Sequence, residues 1–212
     1  MKLFRLLLLS LLALTIHFRS ASAQTNSDAP LRQLPNDQYM IGVRTNAPAD
    51  LLLVPNLGVE VPLYDAWSGV FNWYYTWWKN DVKHYYWRIY GGDLEIRYWL
   101  GKRSQERRLL GHHLGVYGQM VSYDLEKGAE GVLGDRWTYG GGVAYGYTAR
   151  LSRHLYLDMS IGAGYLTGTY KRYIPTDDCY RWQSTHALHY WGPTKAEISL
   201  VWILNNRKGG KR

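Results

Sequence analysis

The chain has 212 residues and a formal net charge of +8, which suits one domain or at most two. Its one cysteine, Cys179, excludes an intramolecular disulfide, so crosslinks do not hold the fold together. A mild basic excess is compatible with nucleic acid or with anionic lipid, but the export signal described next argues against nucleic acid.

The first 23 residues have the pattern of a secretory signal peptide. Lys2 and Arg5 precede an apolar run from Leu6 to Ile16, and small residues at 21–23 supply a cleavage motif. The run is too short for a membrane-spanning helix, which needs about 20 residues. We therefore predict cleavage after Ala23 and export of the mature protein.

Period-two alternation of apolar and polar residues dominates the rest of the chain. Residues 24–38 are polar and predict a flexible lead-in, and residues 205–212 form a basic tail. Residues 39–204 predict eight antiparallel strands around 39–47, 57–63, 67–77, 94–100, 111–123, 141–151, 155–167 and 196–204. Gly91-Gly92 shifts the phase between Ile89 and Leu94, which predicts a β-bulge.

The predicted connections alternate in length. Short ones lie around 64–66, 102–108 and 152–153, and longer ones lie around 80–86, 125–139 and 171–193. Only the first connection, near 48–55, departs from this trend. Short periplasmic turns and long outer loops are typical of outer-membrane barrels. We therefore expect an all-β fold, an eight-stranded antiparallel transmembrane β-barrel.

The size of the residues on each face favours a membrane barrel over a soluble one. Small residues such as Gly142, Gly146 and Gly162 fit the narrow interior of an eight-stranded barrel, which large aromatic side chains would overfill. A soluble barrel with the opposite facing is the alternative. The orientation predicts aromatic residues at the membrane interfaces, namely Trp67, Trp73, Tyr75, Trp77, Tyr98, Tyr145, Tyr147, Tyr165 and Trp202.

The same orientation places charged residues in the interior. Four acids and four bases would have to pair there, because an isolated buried charge is costly. We predict a closed lumen that holds a charge network of Arg44, Glu60, Glu95, Arg97, Arg150, Asp158, Lys195 and Glu197.

Residues with reactive side chains form no pattern that specifies chemistry. Cys179, His186 and His189 are possible metal ligands in the seventh connection, but their spacing matches no zinc motif. Ser122 near a rim histidine, His84 or His186, is the best candidate nucleophile on residue type alone. His112 and His113 would point to opposite faces of one strand. We predict no catalytic, cofactor-binding or metal site, and no enzymatic activity.

Several strings of the sequence resemble a known family. They are PNLGVEV (55–61), YWRI (86–89), EIRYWL (95–100), GHHLGVYGQ (111–119) and GPTKAEISLVW (192–202). The chain resembles the outer-membrane proteins grouped as domain of unknown function 3575. The resemblance implies a barrel loosely similar to the membrane part of OmpA, with no activity and no catalytic residues to carry over. Asn205–Arg212 extends beyond the last strand, where members of the family end.

These observations together predict an exported protein of the Gram-negative outer membrane with a structural or surface-interaction role. The expected partners are outer-membrane lipid and lipopolysaccharide, the barrel-assembly machinery, and surface-filament or periplasmic proteins, but not nucleic acid. Two alternatives remain open: an outer-membrane enzyme acting on lipid or lipopolysaccharide, and a small channel.

Overall fold

The computed structural model describes residues 40–64, 66–80, 85–101, 109–128, 130–176 and 179–205. In this part of the chain, nine strands form one antiparallel sheet, which confirms the all-β prediction. The elements in chain order are β1 (Met40–Asn46), α1 (Ala47–Leu51), β2 (Asn56–Pro62), β3 (Trp67–Asn80), β4 (Tyr85–Trp99), β5 (Gly111–Lys127), β6 (Glu130–Gly134), β7 (Thr138–Arg150), β8 (Leu155–Thr176) and β9 (Cys179–Asn205). The predicted signal peptide (1–23), the lead-in (24–38) and the tail after Asn205 lie outside the described residues.

The sheet closes on itself in a ring. Strands β1 to β5 pair in chain order, β5 pairs with β7, and β7 pairs with β8. The ring closes because β9 pairs with β8 on one side and with β1 on the other, where Arg44 lies opposite Val201. The last strand therefore returns to the first, and the backbone polar groups of both are satisfied by the ladder.

The predicted strand count of eight is wrong by one, because the sixth position in the ring holds two segments. Strand β6 and strand β7 each lie between β5 and β8. Residues 135–137 interrupt the strand between them, and the amide of Asp135 donates to the carbonyl of Thr169 across this break. A short strand of five residues, with Gly at 131 and 134, gave too little alternation to be recognised.

The ring has two distinct ends. The terminal end holds Met40, Asn205 and the C-terminal ends of β2, β4 and β7. The hairpin end holds α1 and the C-terminal ends of β3, β5 and β8. Interior packing at the terminal end is apolar, since buried Met40, Trp99, Leu110, Tyr156 and Ile203 belong to one cluster there.

At the hairpin end, the predicted long connections are mostly strand. The segment 171–193 was predicted to be a loop, but β8 and β9 continue as a paired hairpin out to Thr176 and Cys179. Strands β3 and β4 likewise pair as far as Asn80 and Tyr85. The alternation of these extensions is weak, because a strand that is exposed on both faces loses the pattern of a half-buried one.

The predicted bulge at Gly91-Gly92 is also wrong. Strand β4 keeps a continuous register with β3 and β5 through both glycines. Ile89 and Asp93 both face the interior, whereas Leu94 faces outward. The apolar residues Ile89 and Leu94 therefore lie on opposite faces of one regular strand, which looks like a phase break in the sequence. Register shifts occur instead between β8 and β9, at Gly162/Ala163 and at Arg172/Tyr173. Among the described residues, no helix is long and apolar enough to cross a membrane.

Candidate functional site

The most distinctive site is a cluster of charged side chains in the interior of the ring, which we call the interior cluster. It consists of Arg44, Glu60, Asp93, Glu95, Arg97, Asp158, Lys195 and Glu197, all of which are buried. They come from β1, β2, β4, β8 and β9. Because β4 faces β8 and β9 across the ring without pairing with either, contacts between these strands cross the interior.

Asp158 is the centre of the interior cluster. Its Oδ2 accepts hydrogen bonds from Arg44 at 2.7 Å and from Arg97 at 2.9 Å. Its Oδ1 lies 2.9 Å from Nε2 of His113 and accepts a hydrogen bond from the hydroxyl of Thr148 at 2.8 Å. This one carboxylate therefore links β8 to four other strands of the ring, and charge-assisted hydrogen bonds of this length are the strong ones.

The two arginines also share Glu60. Arg44 donates to Oε2 of Glu60 at 3.3 Å, and Arg97 donates to the same oxygen at 3.4 Å. Arg97 further donates from NH2 to Glu95 at 3.2 Å, whereas its Nε lies 3.0 Å from Oε1 of Glu95 without hydrogen-bond geometry. The planar guanidinium, with its five donors, suits such branched contacts.

Lys195 contacts a second group of carboxylates in the cluster. Its Nζ donates to Asp93 at 2.8 Å and to Glu95 at 2.7 Å, and Glu197 lies 3.5 Å away. The ammonium also lies 5.1 Å from the ring centroid of Tyr117, within the range of a cation–π contact. Lys195 thus ties β9 to β4 across the ring.

A short string of the sequence, residues 192–195, creates the position of Lys195. Gly192-Pro193-Thr194-Lys195 spans the first register shift, where Ala163 pairs with Pro193 but Gly162 pairs with Lys195. Thr194 is the extra residue on β9. If Thr194 instead paired regularly opposite Gly162, the alternation that follows would turn Lys195 outward. The hydroxyl of Thr194 instead meets the hydroxyl of Tyr117 inside the ring.

Neutral side chains complete the cluster, and sequence reasoning missed them. Asn72 and the Tyr74 hydroxyl donate to Asp93 at 3.1 and 2.6 Å, and Ser68 donates to Glu60 at 2.9 Å. Trp99 donates to Ser68 at 2.9 Å and so connects the cluster to the apolar packing at the terminal end. Their inward phase on β3 and β4 was readable, but nothing in the sequence marked them as partners of charges.

Arg150 does not belong to the interior cluster. It has the inward phase on β7, but it lies at the end of the strand, is exposed, and donates from Nε to the carbonyl of Ser152 at 3.0 Å. The prediction for Arg150 is therefore wrong. The alternation shows which face of the strand a residue is on, but not how far the residue lies from the end of the ring. The sequence analysis did not include Asp93 in the network. With Asp93, the cluster holds five acids and three permanent cations, and His113 is a fourth basic group beside them.

Two glycines make room for these side chains. A Cβ on residue 115 would collide with the carboxylate of Glu95, and a Cβ on residue 146 would collide with the ring of His113. Small residues on the inward face are therefore part of the site, since the charged groups need the space that they leave.

The predicted interface aromatics all point away from the interior. Most of them are strongly exposed, and Tyr165 is partly covered by Trp191, whose ring centroid lies 4.8 Å away. The set is Trp67, Trp73, Tyr75, Trp77, Tyr98, Tyr145, Tyr147, Tyr165 and Trp202. His112 also faces outward and bonds to the Tyr145 hydroxyl at 2.6 Å, whereas His113 faces inward, so the prediction of opposite faces is confirmed.

The other candidate residues do not come together. His186 bonds to the hydroxyl of Ser184, and His189 bonds to the hydroxyl of Tyr165. Ser122 lies on the outward face of β5 and has no hydrogen bond with His186, while His84 lies outside the described residues. No group of three or more His, Cys, Asp or Glu side chains in the described ranges is arranged to hold a metal ion.

Comparison with known proteins gives one match. Residues 7–204 match the model of a protein family described as "Protein of unknown function (DUF3575)", which confirms the resemblance noted in the sequence. No curated protein and no solved structure matches the chain.

Proposed function

The chain belongs to the family of proteins of unknown function DUF3575, and we propose that it is a β-barrel of the Gram-negative outer membrane with a structural or surface-interaction role. The observation that carries this proposal is the distribution of charge across the wall of the ring. In the middle of the wall, apolar and aromatic residues face outward, while the ionised groups there face inward and form a paired cluster.

The outward face carries a broad belt without ionised groups. No Asp, Glu, Lys or Arg faces outward within β1 and β2, or within residues 67–77, 90–98, 112–122, 139–149, 155–169 and 187–204. A soluble protein rarely exposes an apolar patch of this extent. The stretch of 11 residues from 139 to 149 fits the about 9–11 residues that a tilted strand needs to cross a bilayer.

The two ends of the ring support one orientation of the barrel across the outer membrane. The terminal end has short turns at 63–66 and 151–154, which suits the periplasmic side, and the hairpin end carries the extended β8–β9 hairpin. In this orientation the hairpins present side chains to the outside of the cell. Surface-filament proteins and lipopolysaccharide are the partners that such a projection would meet, and folding would use the barrel-assembly machinery.

The proposal predicts where the protein is found. Mature protein should begin at Gln24 and fractionate with the outer membrane, because the belt would be insoluble in the periplasm. Unheated samples should migrate differently from boiled ones on a gel, since a closed sheet resists detergent. Recovery of folded protein from the soluble periplasmic fraction would contradict the proposal.

The interior cluster predicts that the barrel does not conduct ions. Arg97, Asp158 and Lys195 bridge opposite sides of a ring whose interior has room only for side chains. Purified wild-type protein in a planar bilayer should therefore show no steady single-channel currents at either polarity. Regular conductance steps from the wild type would instead favour a small channel.

A further inference from the structure

Where the apolar belt meets the hairpin end, the outward face of the sheet is partly covered and forms cavities. Glu126 has the outward phase on β5, yet it is only 5% exposed. Tyr173 covers Glu126 from β8, packs over Gly131, and donates to Asp124 at 2.8 Å and to Glu126 at 3.4 Å.

Two adjoining cavities of about 840 Å³ and 390 Å³ lie in this region and share Leu133 as a lining residue. Both volumes are in the range of ligand pockets, about 300–1,000 Å³.

The larger cavity lies at the break between β6 and β7. Tyr90 and Trp137 line it edge to face, with ring centroids 5.2 Å apart, and Tyr139 adds a third ring. The hydroxyl-bearing residues Ser122, Thr167 and Thr169 line the same cavity. The break in the wall therefore combines flat apolar surfaces with hydroxyl groups.

The smaller cavity is bounded by aromatic residues from strands at both sides of the hairpin end. Trp77 and Tyr86 line it from β3 and β4, and Tyr173, Tyr180 and Trp182 line it from β8 and β9. Trp182 is 62% exposed and Trp77 is 55% exposed, so broad ring surfaces remain open to solvent. Rigid, amphipathic rings of this kind give large contact area at low entropic cost.

Two arginines lie beside these rings. The guanidinium of Arg88 lines the larger cavity and lies 3.6 Å from Asp124, while its Nε has no hydrogen-bond partner. Burial raises the pKa of Asp124, and the Tyr173 hydroxyl and Arg88 only partly oppose that rise. Arg136 also lines the cavity, is exposed, and makes no ion pair within the described part of the chain.

We propose that the two cavities together bind an acidic saccharide, with sugar rings against the tryptophan and tyrosine faces and an anionic substituent at Arg88 and Arg136. The C–H faces of sugar rings pack on aromatic rings, and hydroxyls and phosphates accept hydrogen bonds from arginine. A purely apolar ligand fits poorly, because it would leave the arginines and the threonine hydroxyls desolvated without partners.

The position of the cavities indicates which molecule would carry the saccharide. This step rests on the proposed function. Tyr90 and Tyr139 border the larger cavity and are also the belt residues of their strands that lie nearest the hairpin end. In the proposed barrel this level is the headgroup region of the outer leaflet. The saccharide would then be the phosphorylated headgroup of a surrounding glycolipid, and a soluble saccharide of the same chemistry is the other source.

The test uses the mature protein, purified from the outer membrane, in zwitterionic detergent and calorimetric titration with three probes. These are a phosphorylated core oligosaccharide, the same oligosaccharide after dephosphorylation, and intact lipopolysaccharide. Trp182→Ala and Arg136→Ala should each weaken binding by about tenfold, the usual cost of losing a central aromatic or arginine anchor. Trp202→Ala is the matched control, because Trp202 is 57% exposed and faces outward at the terminal end. The heat-dependent gel shift of each variant shows that it is folded.

The outcomes separate the inference from the proposed function. Weaker binding after dephosphorylation and in both cavity variants supports the acidic-saccharide site. Equal affinity for the oligosaccharide and for intact lipopolysaccharide identifies a soluble ligand, whereas a requirement for the acyl chains identifies the glycolipid. Protein that fractionates with the outer membrane but binds none of the probes overturns the inference alone. An equal loss in the Trp202 control overturns it as well, since binding would then not involve the cavities.

Discussion

Replacing Arg97 with methionine is expected to lower the free energy of unfolding by about 3–5 kcal/mol, the usual cost of removing one partner from a buried ion pair. Arg97 is fully buried and contacts Glu60, Glu95 and Asp158. Its removal leaves carboxylates from three strands without their cation, in an interior that already holds more acids than permanent cations. The measurement is urea unfolding of protein refolded into phospholipid vesicles, followed by tryptophan fluorescence.

Arg150→Met is the control for this experiment. Arg150 has the same inward phase but lies exposed at the end of β7, so its loss should change stability by only about 0.5 kcal/mol. Equal effects of the two substitutions would show that the interior cluster does not stabilise the fold.

Placing an arginine at Val143 is expected to destabilise the membrane-inserted protein by about 2–4 kcal/mol, the cost of a charge on the lipid face near the bilayer midplane. Val143 is 62% exposed and faces outward in the middle of β7. In a soluble protein the same change at an exposed position would be nearly neutral. Val143→Arg therefore distinguishes the two environments by stability, measured by the same unfolding assay in vesicles.

Leu51→Arg gives the matched comparison. Leu51 is 84% exposed in α1, at the hairpin end and outside the belt, so arginine there should stay in water at little cost. The prediction fails if Val143→Arg is as mild as Leu51→Arg, because both side chains would then be facing the same solvent.

The alternation of the sequence determined the sheet and its two faces. Side chains of a strand point alternately to opposite faces, so the phase of Arg44, Glu60, Arg97 and Asp158 was readable and placed all four inside. The same rule turned the predicted aromatic set outward. The short turn at 152–153 was readable as well, because its polar residues separate two strongly alternating segments.

The sequence did not show how deep each inward side chain lies in the ring or which side chain it pairs with. A period of two carries no information about the stagger between strands. Arg150 and Arg97 share the inward phase, yet only the register of the closed ring puts one at the rim and the other in the centre. The basic partners of Asp158 lie 45 to 114 positions away in the chain, His113 being the nearest and Arg44 the farthest. The bulge at Thr194 decides the facing of Lys195, and the break at 135–137 opens the larger cavity. Each of these features arises from how strands meet across the ring, and so only the tertiary structure could decide them.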